Sequence, residues 1–230
     1  MTRQTRTPLF TLLAALLLGS ACSPRAPQLA PEPTVPPFTP GVVPDSFVVR
    51  LATSKGAVDA IIRRDWAPQG SDRFYELAAT GYFDGARFFR TIRGFVTQFG
   101  IAADTAQTAR WATQRIPDDA VTQSNRRGTL VFASGGPNTR TTQLFINLRD
   151  NARLDGLGFP PIGEVIAGLD AVDAFYTGYG DGANAPNQGR ITREGEAYLA
   201  ANFPLLDRIE KASVVRAWFP PTPPATSPTR

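Results

Sequence analysis

The chain has 230 residues, 42% of them hydrophobic and 19% charged, which is enough for one domain with a core and excludes disorder throughout. It contains no histidine and one cysteine, which excludes His-based acid–base chemistry, Ser-His or Cys-His dyads, His-ligated zinc and an intrachain disulfide. The formal charge is +4; losing Arg3 and Arg6 with a cleaved leader leaves 22 basic against 20 acidic residues, too balanced for a nucleic-acid-binding stripe.

In chain order, residues 1–21 read as a signal peptide. Arg3 and Arg6 form a basic n-region, and Leu9–Leu18 is an apolar run too short for a membrane-spanning helix. Gly19-Ser20-Ala21-Cys22 follows and resembles a bacterial lipobox, with cleavage before Cys22 and lipid on that residue. An ordinary signal with an incidental cysteine is the alternative. Several acyl chains on Cys22 would hold the protein firmly to a membrane, since one chain binds marginally. Residues 22–44 contain eight prolines and form a polyproline-type spacer, reaching at most ~70 Å at ~3.1 Å per residue. Residues 45–219 are the expected folded unit, and residues 220–230 (PTPPATSPTR after Pro220) an irregular tail.

Within that unit, Phe47–Thr53 and Ala57–Arg63 flank Ser54-Lys55-Gly56 and predict a hairpin. Ala67-Pro68 opens a helix that Gly81 closes. Ala86–Ile92 and Phe95–Gly100 predict strands around Arg93-Gly94, and residues 101–125 a polar loop. Thr129–Ala133, Gln143–Leu148, Gly163–Ile166 and Ala212–Ala217 predict further strands, Leu169–Phe175 and Glu194–Ala201 helices. Many short strands, two or three helices, 21 Pro and 20 Gly predict a mainly β fold, a closed antiparallel barrel capped by α-helices.

The common catalytic signatures are missing. There is no phosphate-binding G-x-x-x-x-G-K-[ST] loop and no G-x-S-x-G elbow. Gly178-Tyr179-Gly180-Asp181-Gly182 lacks the strand–turn–helix setting of a dinucleotide site and reads as a loop. Asp118-Asp119 could bind a cation or form a solvated turn. On Gln143–Leu148, Leu144, Ile146 and Leu148 share one face; Gln143, Phe145 and Asn147 share the other. The second face suits a solvated groove or an ordinary outer surface, and this strand alone does not decide.

The segment FFRTIRGFVTQFG (88–100) resembles the F-H-R-V-I-x-G-F-M-x-Q-x-G segment of cyclophilin-type peptidyl-prolyl isomerases. GTLVFASGGPNT (128–139) resembles that family's G-T-L-x-M-A-N-A-G-P-N-T. Gln143-Leu144-Phe145-Ile146, Leu154-Asp155-Gly156 and Gly163-Glu164-Val165 match later motifs in order. Upstream, FYELAATGYFDG (74–85) resembles the family's helix and following turn, so the likeness covers most of residues 47–217. Ala185–Leu206 looks like the C-terminal extension of a bacterial subgroup.

The resemblance implies an eight-stranded closed antiparallel barrel and cis–trans isomerisation of the bond before proline, with no cofactor and no metal. It implies Arg90 as catalytic donor to the prolyl nitrogen and Gln98 as the residue that orients it. Phe95, Val96, Phe145 and Leu154 would line the proline pocket. Ala133 and Ser134 would offer a backbone contact to the residue before proline, with Gln143 bonding nearby. The sequence departs from the family at the rim. Phe89 replaces the histidine beside the catalytic arginine, Arg153 stands where many members have tryptophan, and another rim histidine falls near Gly158 or Phe159. The expected substrates are proline-containing peptides and unfolded exported proteins. The expected setting is the cell envelope, with a lipid anchor at Cys22, no nucleic acid and a monomeric state. A non-catalytic module binding proline segments as a chaperone or scaffold is the alternative.

Overall fold

The computed structural model describes residues 35–220. Cys22, the leader, most of the spacer and residues 221–230 lie outside the described residues.

The expected opening hairpin is present. β1 (Ser46–Thr53) pairs antiparallel with β2 (Gly56–Arg63), with Thr53 opposite Gly56 across a two-residue turn. Phe47, Val49 and Leu51 alternate inward from β1, and Val58, Ala60 and Ile62 from β2. α1 (Pro68–Ala79) starts with Pro in its first turn and lays Phe74, Leu77 and Ala78 on the core. Its first residue has no local side-chain cap. Instead the Asp119 carboxylate accepts from Gln69 N and Gly70 N, both at 2.9 Å. Asp119 also pairs at 3.0 Å with the buried Arg140, and Asp118 faces the same guanidinium at 3.3 Å. The two aspartates thus serve a helix end and a buried cation; among the described residues no cluster of three or more metal-ligating side chains occurs.

The remaining strands are β3 (Arg90–Thr91), β4 (Val96–Phe99), β5 (Thr129–Phe132), β6 (Leu144–Asn147), β7 (Pro161–Ala167) and β8 (Ile209–Trp218). Their order in the single sheet is β3-β4-β6-β5-β7-β2-β1-β8, with every pairing antiparallel. The closed barrel expected from the sequence is therefore corrected to an open, curled half-barrel with β3 and β8 at its edges. The cause lies in the stretch predicted as one strand, Ala86–Ile92. It divides its hydrogen bonds between two partners. Gly85 N and Phe88 N donate to Ile209 O and Asp207 O, and Arg87 forms an isolated bridge with Arg208. Arg90 and Thr91 turn to β4 instead. Neither half is long enough to continue a ladder.

Two helical elements depart from the sequence reading. α2 (Thr105–Trp111) lies inside the predicted loop, capped by Asp104, whose carboxylate accepts from Ala106 N at 2.8 Å. It buries only Thr108 and Trp111, too few positions to give a visible period. α3 (Leu169–Asp173) falls where a helix is predicted. α4 (Gln188–Asn202) begins six residues before the predicted Glu194 and bends at Gly195, φ +61°. At that kink a Cβ would come within 2.8 Å of Ala103 O. No described helix is long and apolar enough to cross a membrane.

Three apolar clusters result. The largest fills the sheet's concave side beneath α1 and contains Phe47, Phe74, Phe83, Phe99, Phe132 and Ile162. Phe38 and Val43, from the proline-rich stretch, pack against it, Phe38 with its ring 5.9 Å from that of Tyr75. The second joins α4 to Phe89 and Ile101. The third lies on the opposite face of β4, β5 and β6 and is described next.

Candidate functional site

Residues directly opposite in an antiparallel ladder share a face. Arg90 on β3 is opposite Gln98 on β4, Gln98 opposite Phe145 on β6, and Phe145 opposite Val131 on β5. Four strands thus carry one row, Arg90–Gln98–Phe145–Val131, on the face away from the main core. Their neighbours Thr97, Phe99, Leu144, Ile146, Leu130 and Phe132 alternate to the other side.

The row is polar at one end and apolar at the other. Val96, Val131, Phe145 and Leu154 form a small buried cluster, with Phe95, Ala133 and Phe159 packed against it. Phe145 and Phe159 meet edge to face, centroids 5.9 Å apart. At the polar end, Arg90 Nη1 donates to Gln98 Oε1 at 3.3 Å, and Gln98 Nε2 donates to Gln143 Oε1 at 2.8 Å. Gln98 is only 8% exposed, so its amide is held in one orientation by those partners.

Arg90 has a second partner that the sequence reading missed. Its Nη2 donates to Asp181 Oδ2 at 3.0 Å, from the glycine-rich loop. The loop assignment of residues 178–182 holds, but its aspartate pairs with a residue 91 positions earlier, and no local pattern announces such a pairing. A cavity of about 490 Å³ opens beside this pair, lined by Phe89, Arg90, Asp181, Pro186 and their neighbours.

The structure brings Arg90, Gln98, Gln143, Phe95, Val96, Phe145, Leu154, Ala133 and Phe159 to one face. Ala133 N donates to Gln143 O at 2.9 Å, which fixes the start of the following loop beside the row. Ser134 turns its hydroxyl inward to Gly136 and Thr139, so its side chain shapes its own loop. Gly100, φ +105°, ends β4 where a Cβ would meet Thr142 O at 2.3 Å, and this close approach seats Gln143 next to Gln98. Phe89 is the departure. Being one residue from Arg90, it points the other way, 1% exposed among Ile191, Tyr198, Leu199 and Phe203. It supports Arg90's strand from behind and lines no part of the apolar pocket. Val131 belongs to that pocket and was not anticipated; its place two residues before Ala133 on one strand is the signal that would have found it.

The pocket's far end rests on a dry polar network. Phe95 O accepts from Asn151 Nδ2 at 3.0 Å and from Leu148 N at 2.9 Å. Asn151 Nδ2 also reaches Asn147 Oδ1 at 2.7 Å, and Asn147 Nδ2 donates to Asn125 Oδ1 and Thr129 Oγ1. Asp155 accepts from Ser124 Oγ, Asn125 N and Asn125 Nδ2. Burial works to raise the Asp155 pKa, but these hydrogen bonds outweigh it and leave the carboxyl below its ordinary value. The network holds the 3-10 turn Ala152–Leu157, which carries Arg153 and Leu154. The Arg153 guanidinium lies 4.9 Å from the Phe95 ring centroid, and that of Arg90 lies 6.0 Å from the same ring.

A donor fork held beside a small apolar pocket, with no titrating nucleophile or base, can bind and polarise a neutral group without moving a proton. The family model described as cyclophilin type peptidyl-prolyl cis-trans isomerase matches residues 48–195. The chain is 36% identical over 141 residues to a peptidyl-prolyl cis-trans isomerase of Arabidopsis thaliana, CYP18-1, covering 58% of this chain and 86% of that one. It is 35% identical over 127 residues to the isomerase ppi1 of Schizosaccharomyces pombe, covering 53% and 79%. Its backbone is similar to the crystal structure of a Cryptosporidium parvum cyclophilin-type isomerase, TM-score 0.56 at 22% identity, over 74% of this chain and 97% of that one. A second structure of that parasite protein was determined in the presence of the dipeptide Ala-Pro. All these relatives are eukaryotic, so they speak for the domain and not for a bacterial, lipid-anchored setting.

Proposed function

Since the chain belongs to the cyclophilin-type peptidyl-prolyl cis-trans isomerases, we propose that the face bearing Arg90 is its active site and that proline-containing peptides are its substrates. The observation that carries this is the row Arg90–Gln98–Phe145–Val131, which sets a charged donor beside an apolar pocket.

The obstacle to isomerisation is amide resonance, a barrier of ~18–20 kcal/mol. Twisting the bond localises the lone pair on the prolyl nitrogen. A guanidinium N–H aimed at that nitrogen stabilises the twisted state more than the planar one, so it lowers the barrier. Arginine suits the task because it stays charged and its donors form a rigid fork. Gln98 and Asp181 each accept from one of the fork's terminal nitrogens, which biases the group toward the pocket while leaving it room to adjust to substrate. Phe145, Val96, Leu154, Phe95 and Val131 take the pyrrolidine ring and exclude water, which favours the less polar twisted amide. Ala133 and Ser134 meet the residue before proline through their backbone. No bond breaks and no proton moves, in keeping with a chain that has no histidine.

Two-dimensional NMR exchange on a short Ala-Pro peptide with purified full-length protein tests this. Catalysed cis–trans exchange is expected with the wild type. Arg90→Ala is expected to reduce it by about 10²-fold or more. Wild-type exchange in Arg90→Ala sinks the mechanism, and peptide binding without enhanced exchange points to the scaffold alternative.

The biological setting is proposed from residues 1–22: export, lipid on Cys22 and work in the cell envelope on the proline-limited folding of exported proteins, steps that otherwise last tens to hundreds of seconds. A Cys22→Ser variant is expected to leave the membrane fraction. If it sediments with membranes as the parent does, the anchor is elsewhere.

A further inference from the structure

Among the described cations beside the groove, one is paired with a carboxylate and two are not. Arg90 answers Asp181. Arg153, at the Phe95 end, has no carboxylate partner among the described residues and stacks over Phe95 alone. The acids of its own stretch are engaged elsewhere: Asp155 with Ser124 and Asn125, Asp150 with Arg127 N. Arg93, also exposed, donates only to the Thr177 hydroxyl at 3.4 Å. The rim at this end therefore carries two cations, Arg153 and Arg93, with no carboxylate in contact among the described residues, and Asp181 pairs with Arg90.

The direction of the groove says which substrate residue meets that charge. Along β4 and β6, Phe99 and Leu144 pair at one end, where Ala133 N also bonds Gln143 O. Val96 and Asn147 pair at the other, next to Phe95 and the turn carrying Arg153. A peptide whose residue before proline lies at Ala133–Ser134, with its ring in the pocket, runs its following residue toward Phe95 and Arg153. We propose that Arg153 is a specificity-determining residue that selects an acidic side chain directly after the proline, so that the preferred substrates are Pro-Glu and Pro-Asp segments. This rests on the isomerase reading of the same site. Stacking on Phe95 confines the guanidinium to the rim and keeps its outer edge in water, where a carboxylate can pair with it. Arg90 already pairs with Asp181 through Nη2, whereas Arg153 has no such partner among the described residues.

The test compares kcat/KM for three peptides, Ala-Pro-Glu, Ala-Pro-Gln and Ala-Pro-Lys, in amide-capped form, by NMR exchange with the full-length protein. An exposed pair contributes modestly, so Glu is expected to exceed Lys by about threefold to tenfold at low salt, with Gln between. The preference should shrink toward unity at 1 M salt, where the Debye length falls to about 3 Å. Arg153→Lys should keep the order, Arg153→Gln should flatten it and Arg153→Glu should reverse it. Equal rates on all three peptides in the wild type, or the same order in Arg153→Glu, overturn the proposal while leaving the isomerase reading intact. No turnover of the neutral peptide by wild type fails the isomerase reading itself.

Discussion

The two ends of the groove are held by opposite means. At the Phe95 end the support is dry and neutral: Asn125, Asn147 and Asn151 bond one another and the backbone, all at most 2% exposed. At the Arg90 end it is wet and charged: one ion pair with Asp181, itself about half exposed, reaches in from a glycine-rich loop. Buried hydrogen bonds are expensive to break because a stranded partner loses its water as well. Exposed ion pairs are cheap to break because solvent takes over both charges. The structure thus fixes the pocket firmly and leaves the donor adjustable.

The sharpest test is Asn147→Ala, which strands groups on Asn125, Asn151 and Thr129 at once. A loss of about 2–3 kcal/mol is expected in urea unfolding; a change under 0.5 kcal/mol removes the distinction between the ends. Next is Asp155→Asn, expected to cost about 1–2 kcal/mol at pH 7, since the neutral amide keeps one acceptor oxygen for Asn125 and turns its NH2 toward the Ser124 hydroxyl that donated to the carboxylate. Asp155 also predicts an acid dependence. Its folded pKa is lowered, so its contribution is complete above about pH 4 and drains away as pH falls through the folded value. Urea midpoints between pH 2 and pH 6 should show a shallower acid decline in Asp155→Asn than in the parent. The smallest effect is expected from Asp181→Asn: unfolding unchanged within about 0.5 kcal/mol, and kcat/KM on a neutral peptide lowered by about fivefold or less. A hundredfold loss there would show that the charged end is as rigid as the dry one.

The sequence exposes the dry end better than the wet one. Leu130, Phe132, Leu144 and Ile146 alternate with Val131 and Phe145, so a period of two separates core from groove on β5 and β6. The same period places the Phe89 side chain opposite that of Arg90, among the α4 residues and away from the apolar pocket, although the resemblance sets it at the rim. Asp181 was hidden because its meaning depends on where a distant loop returns. The open sheet was hidden because Ala86–Ile92 has strand composition throughout, while its hydrogen bonds are divided between β8 and β4. Composition does not encode such a division of partners.

The sheet also joins its first strand to its last. β1 lies between β2 and β8, and Asp45 N donates to Trp218 O at 2.8 Å. A chain delivered from its N-terminus holds one edge of β1 unsatisfied until residues 209–218 arrive. Residues 207–209, delivered equally late, receive the Gly85–Phe88 segment that leads into Arg90. The segment that leads into β3 is therefore among the last parts to be seated, and a nascent chain lacks that support behind Arg90 until these residues have emerged.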